Sequence, residues 1–178
     1  MAGRLPPLAL LTDDERLADP LAAAAALPKG SLVIVRARDA AHRAGLAGAM
    51  LALATRRDLI VLISDDPALA ARIGADGLHL PERHAREAAH WRAVHPHWII
   101  SAAAHGRRPA SAALDLLLLS PVFPTGSHPY RPALGAARAN ALARALRVPV
   151  YALGGVNAGN ARLLHGFAGV AAIGALQA

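Results

Sequence analysis

The strongest constraint in this chain is a short apolar run that stops dead. Leu116 to Leu119 is four leucines in succession, closed by Ser120-Pro121 and followed by Val122-Phe123 and the polar loop Pro124-Thr125-Gly126-Ser127-His128. A run without polar alternation reads as a strand covered on both faces, as parallel strands in α/β proteins are. Proline cannot donate to a strand ladder, so the strand must end there. The same design recurs: 8–11, 32–35, 59–63, 77–80, 98–101, 148–153 and 169–173 are apolar runs, and helical segments separate them. The helical stretches read as 16–27, 40–55, 68–73, 81 to about 95, a short one before Leu116, 134–146 and 157–166. Alternation of this kind implies βαβ units and a parallel sheet. Eight units of roughly 22 residues are tighter than the usual (β/α)8 barrel. The expectation is therefore one compact α/β domain over residues 1–178, a (β/α)8 barrel whose last helix is short or missing. An open doubly wound sheet ranks second, because Gly154-Gly155 is not a GxGxxG fingerprint and comes late.

Composition narrows the function. Hydrophobic residues make up 54% of the chain but aromatics only 3%, so the core is built from small aliphatic side chains. No stretch is long and apolar enough for a membrane span, and residues 1–8 do not resemble a signal peptide, so a cytoplasmic location is expected. With no cysteine, disulfides, thiolate metal sites and cysteine nucleophiles are excluded. The net charge of +7 comes almost wholly from arginine, Lys29 being the one lysine. The arginines are scattered and no aromatic residues are interleaved, so a specific nucleic-acid partner is not expected. An arginine-rich solvated surface accounts for the charge, and attraction of small phosphorylated substrates is a second reading of it.

In a barrel the polar residues just after each strand share one rim, where ligand sites gather. Here they are Arg36 and Arg38; Asp65 and Asp66; His79, Glu82 and His84; His105; Thr125, Ser127 and His128; and Gly154, Gly155 and Asn157. The two arginines can clamp a phosphate or form rim salt bridges with Asp39 or Asp65. Of the aspartate pair, one is expected to face Mg2+ and one to cap the following helix. The glycine pair can present N–H groups to a phosphate or simply make a turn. His105 can act as general acid or base, or pack at the rim without a catalytic part. No zinc-protease HExxH and no GxSxG elbow is present.

Several of these segments, in order, resemble the thiamine phosphate synthase / TenI family: LALLTDD near the start, VRAR at 35–38, SDDPALAARIGADGLHLPE at 64–82, ISAAAH at 100–105, SPVFPTGSH at 120–128 and VPVYALGGVNAGNARLL at 148–164. The resemblance covers nearly the whole chain and implies a compact (β/α)8 barrel. It implies an enzyme of thiamine biosynthesis that condenses hydroxymethylpyrimidine diphosphate with thiazole phosphate and releases pyrophosphate. The alternatives it leaves are a TenI-like thiazole tautomerase and a non-catalytic binder of thiazole or thiamine phosphate. Carried over position by position, it makes Asp65 the Mg2+ ligand, Arg36, Arg38, Thr125, Ser127, His128, Gly154 and Gly155 substrate contacts, and His105 the acid/base. The chain departs from the family pattern where Pro81-Glu82-Arg83-His84 lacks the second metal aspartate and where His128 replaces a lysine. Glu82 is the nearby carboxylate that would stand in. A short final helix would leave a barrel seam that a partner subunit could cover, so a homo-oligomer is left open.

Overall fold

The computed structural model of the chain describes residues 5–106, 113–126 and 132–173. Its eight strands are β1 (Leu8–Leu11), β2 (Leu32–Val35), β3 (Ile60–Ser64), β4 (Gly77–Leu80), β5 (Ile99–Ala104), β6 (Leu116–Leu119), β7 (Val150–Leu153) and β8 (Gly169–Ala172). They follow one another round a closed parallel barrel in chain order. The described helices between them are α1 (Pro20–Ala25), α2 (Ala40–Arg57), α3 (Pro67–Ile73), α4 (Ala88–Val94), α5 (Ala136–Ala145) and α6 (Ala158–Ala161), with a 3-10 turn at Glu82–Glu87 before α4. The short helix expected before β6 and the end of the chain lie outside the described residues.

The chain forms two compact units, whose boundaries fall inside β4 after His79 and inside β5 after Ile99. In the first, β1, β2 and β3 run in register, Leu10 beside Val33 and Val33 beside Val61. Its core is aliphatic: Leu10, Leu32, Ile34, Met50, Leu62, Ile63 and Leu78 are fully buried. In the second, β6 lies between β5 and β7, with Leu117 beside Ala102 and Val150. All four leucines of β6 are buried, each contributing about 1.5–3 kcal/mol of hydrophobic stabilisation. That is why these strands show no alternation: both faces are covered.

Helix boundaries follow local chemistry. The alanine-rich segment at 16–27 becomes helical only at Pro20, because Asp19 caps the Ala22 N–H and proline favours the first turn. Asp39 caps α2 at His42, Asp66 caps α3 at Leu69, and Gly74 ends α3 in the left-handed region, where glycine carries no side-chain penalty.

Strand starts are completed by carboxylates. Asp76 accepts from the Val61 N–H at 2.7 Å in the first unit, and Asp115 accepts from Ile100 at 2.7 Å in the second. Each aspartate sits 15 residues after the amide it serves. Each therefore supplies the acceptor that the neighbouring strand, one β/α unit on, is too short to give. Beside Asp76, Gly77 passes so close to Ile99 that a Cβ would stand 1.9 Å from its carbonyl oxygen.

Two glycine-to-alanine changes should have opposite signs. Gly77→Ala drives a methyl into backbone and should cost about 3 kcal/mol or prevent folding. Gly48→Ala, within α2 with open space around it, should stabilise by about 0.5–1 kcal/mol. Urea midpoints of the two variants check the pair.

Candidate active site

Thr12 sets the geometry at the end of β2. Its buried hydroxyl accepts from the Arg36 N–H and donates to the Arg36 carbonyl, both at 2.8 Å, and its own N–H donates to Ile34. This three-point bond ties the ends of β1 and β2 together and fixes where Arg36 leaves the strand. The Arg36 side chain then reaches Asp13 at 2.7 Å, and Arg38 pairs with Glu15. Asp14 accepts from the Arg38 N–H at 2.8 Å. Thr12 to Asp14 thus bridge to β2 instead of capping α1, whose cap is Asp19. Asp13, Asp14, Glu15, Arg36, Ala37 and Arg38 line one cleft. Both arginines do form salt bridges, but with the loop after β1, because Asp39 is used as the cap of α2.

Charge balance around Asp13 is uneven. Partial burial pushes its pKa up. Hydrogen bonds from Arg16 and the Glu15 N–H, with the charges of Arg16 and Arg36, outweigh that and hold the carboxyl below its usual range. Asp66 behaves alike: burial raises it, but the Leu69 N–H and Arg43, at 2.8 Å, lower it further. Asp65 follows β3 with φ at +53°, an unusual left-handed conformation for an aspartate, and its N–H donates to the His79 carbonyl. His79, within β4, is almost wholly buried. Burial pushes its pKa down to about 4, and Arg36 pushes the same way while Asp65 opposes.

In the second unit, Glu82 stands at the start of the 3-10 turn after β4, and His105 directly follows β5. Glu82 Oε2 lies 2.7 Å from His105 Nδ1, and Oε1 accepts from the His105 N–H at 3.2 Å. Thr125 lies half-buried in the loop after β6. Gly154 and Gly155 turn the chain after β7 with φ of +91° and +66°. A Cβ on Gly155 would come 2.4 Å from the Pro124 oxygen, so only glycine lets this turn lie against the Phe123–Pro124 backbone. That contact seats the glycine pair beside the loop that carries Thr125. At the start of α6, Asn157 and Asn160 form a capping box, so the Gly159 and Asn160 N–H groups are satisfied by the Asn157 side chain. Ser127 and His128 lie outside the described residues.

Whether Mg2+ fits depends on which carboxylates are already engaged. Asp66 is engaged by the Leu69 N–H and Arg43, and Glu82 by His105. Among the described residues, no three histidine, aspartate or glutamate side chains gather as a metal site. A carboxylate such as Asp65 is the hard oxygen donor that Mg2+ prefers, an ion that keeps several waters in its octahedral shell.

A family model described as thiamine monophosphate synthase matches residues 8–176. The chain belongs to that family. It is 36% identical over 137 residues to the thiamine-phosphate synthase of Methylobacillus flagellatus and 37% over 138 residues to that of Thermus thermophilus. Those matches take in 73% and 72% of this chain and 65% of each relative, so the chain spans just under two thirds of their length. The Alcanivorax borkumensis thiamine-phosphate synthase is 32% identical over 177 residues, 93% of this chain and 80% of that protein. A thiamine phosphate pyrophosphorylase structure from Pyrococcus furiosus superposes with a TM-score of 0.73 over 96% of this chain and 86% of its own, at 22% identity, and so shares the fold.

The sequence reading did not foresee these side-chain partners. Asp13, Glu15 and Glu82 each meet a basic or imidazole group 23 residues further on, as do Arg43 with Asp66 and Arg92 with Asp115. That spacing is one β/α unit, and opposite charges repeated at it are a signal the sequence does carry.

His79 gives a pH prediction. Its folded pKa of about 4 lies below the ordinary 6.5. The unfolded chain therefore takes up a proton first as pH falls. Stability should be full above pH 6.5, decline through the window from 6.5 to 4 by up to about 3 kcal/mol, and change no further through this group below 4. Urea denaturation of the metal-free protein across that window checks it, with His79→Gln expected to flatten the decline.

Proposed function

We propose that this protein is an enzyme of thiamine biosynthesis that joins hydroxymethylpyrimidine diphosphate to thiazole phosphate and releases pyrophosphate. The observation that carries this reading is the family match across residues 8–176. The chain would act as a single domain in the cytoplasm, on small phosphorylated substrates, and as a homo-oligomer. Among the described residues no helix is long and apolar enough to cross a membrane.

The parts would divide by charge. Arg36 and Arg38 would bind the anionic end of the diphosphate, exchanging Asp13 and Glu15 for phosphate oxygens. Guanidinium groups suit this because they donate two parallel hydrogen bonds to an oxyanion. The cost is that two carboxylates must be displaced, so the diphosphate competes with the protein's own acids. Asp65 would touch the Mg2+ that accompanies the diphosphate. When bound, the ion would supply neutralisation of the charge that develops on a leaving pyrophosphate. Thr125, Ser127 and His128 would contact substrate from the loop after β6. The Gly154-Gly155 turn would hold the thiazole phosphate through backbone N–H groups, which no side chain can obstruct.

A second reading, TenI-like thiazole tautomerisation, is favoured by one observation: the contact between His105 and Glu82. Tautomerisation removes a proton from one atom of the thiazole and returns one to another, so it needs an acid/base and no leaving group. His105, half-buried and backed by a carboxylate, would be that group.

One coupled assay decides between them. With hydroxymethylpyrimidine diphosphate, thiazole phosphate and Mg2+, synthase activity predicts thiamine phosphate, detected as fluorescent thiochrome after oxidation. Asp65→Ala should lower that turnover about 100-fold or more, since several kcal/mol of charge stabilisation depends on the ion. No thiamine phosphate, with interconversion of thiazole phosphate tautomers lost in His105→Ala, would establish the second reading instead.

A further inference from the structure

We infer that Glu82 is the positioning residue for His105, holding the imidazole in the tautomer with hydrogen on Nδ1 and leaving Nε2 as the nitrogen that takes the proton. This rests on the reading of His105 as the acid/base and adds to it which nitrogen works and what makes it work.

The geometry is a two-point contact. Glu82 Oε1 accepts from the His105 backbone N–H at 3.2 Å, and Oε2 faces Nδ1 at 2.7 Å. The first bond fixes the carboxylate, because a backbone N–H can only donate. The second then dictates the ring. A carboxylate only accepts, so the nitrogen facing it must carry hydrogen. A neutral imidazole has one N–H, which places it on Nδ1 and leaves a lone pair on Nε2. The reverse tautomer would set a lone pair against a carboxylate oxygen at 2.7 Å, two acceptors with no proton between them.

Both ends of the contact are held by the fold. Glu82 opens the 3-10 turn immediately after Pro81, whose extended backbone (φ −62°, ψ 156°) precedes it. His105 directly follows β5, which is paired residue by residue with β6 from Ser101 to Ala104. β5 is ordered by its own ladder to β6.

Replacement by glutamine is the sharp test, because it keeps the shape and removes one acceptor. A carboxamide has one oxygen and one NH2. With its oxygen on the fixed backbone N–H, its NH2 faces Nδ1, which must then accept. Glu82→Gln should therefore invert the tautomer, putting hydrogen on Nε2, where it blocks proton uptake.

The full-length protein, labelled with 15N-histidine, would be studied by long-range 15N–1H NMR above the pH at which the ring is protonated, with His105→Gln identifying the resonances. The expected result is hydrogen on Nδ1 in the parent and on Nε2 in Glu82→Gln. Turnover of thiazole phosphate should fall at least about tenfold in kcat, with KM changed less than about twofold, and Glu82→Asp should recover part of it. Hydrogen on Nε2 in the parent overturns the inference without any variant. So does a Glu82→Gln protein that keeps both its Nδ1 hydrogen and its kcat. If the parent turns over no thiazole phosphate but the tautomer still inverts, the positioning by Glu82 stands and the acid/base reading of His105 falls.

Discussion

Everything in this protein hangs on the parallel ladder being complete. Strands of four to six residues leave few backbone partners, and a buried N–H without an acceptor costs about 1–3 kcal/mol. The chain meets this with side chains at both ends of the strands. At their starts, Asp76 and Asp115 accept from Val61 and Ile100. At the far end of β2, Thr12 both accepts from and donates to Arg36. A strand can then be short and wholly apolar, as Leu116–Leu119 is. The position of each functional candidate follows from that: it is the first residue, or nearly so, that the ladder no longer needs.

The same residues make the candidate site a place of competition. Arg36 and Arg38 do not wait with open hydrogen-bonding forks; Asp13 and Glu15 occupy them. Asp66 is shared between a helix N-terminus and Arg43. An anionic substrate entering such a site exchanges one anion for another, which softens affinity and favours ligands with more charge than a carboxylate. A phosphate or diphosphate meets that condition. Glu82 is the instructive case. The family pattern made it a stand-in for a lost metal aspartate, yet it lies on His105 at 2.7 Å. Glu82 thereby stands against an imidazole.

The barrel was legible because its signal is repeated. Apolar runs at 8–11, 32–35, 77–80 and 116–119 coincide with strands residue for residue. Ends were less legible where side chains decide them: α1 begins at Pro20 and not Arg16, because Asp19 supplies the cap and Arg16 is tied to Asp13. Site positions could be marked from sequence, since strand ends are where ladders stop. Their partners could not, because alternation says which residue leaves a strand and nothing about which neighbour it meets. The recurring separation of 23 residues would have supplied that link for Asp13 with Arg36 and for Glu82 with His105.

The central claim is that a phosphate-bearing thiazole is held at the glycine turn after β7, where Gly155 lies against the Pro124 carbonyl and no side chain can stand. The most direct measurement is a 15N–1H correlation spectrum of the full-length protein titrated with thiazole phosphate. The account predicts saturable shifts of the Gly154 and Gly155 amide signals, with the unphosphorylated thiazole leaving them in place. Saturable binding of thiazole phosphate that moves neither glycine signal, or no binding at all at millimolar concentration, would contradict it.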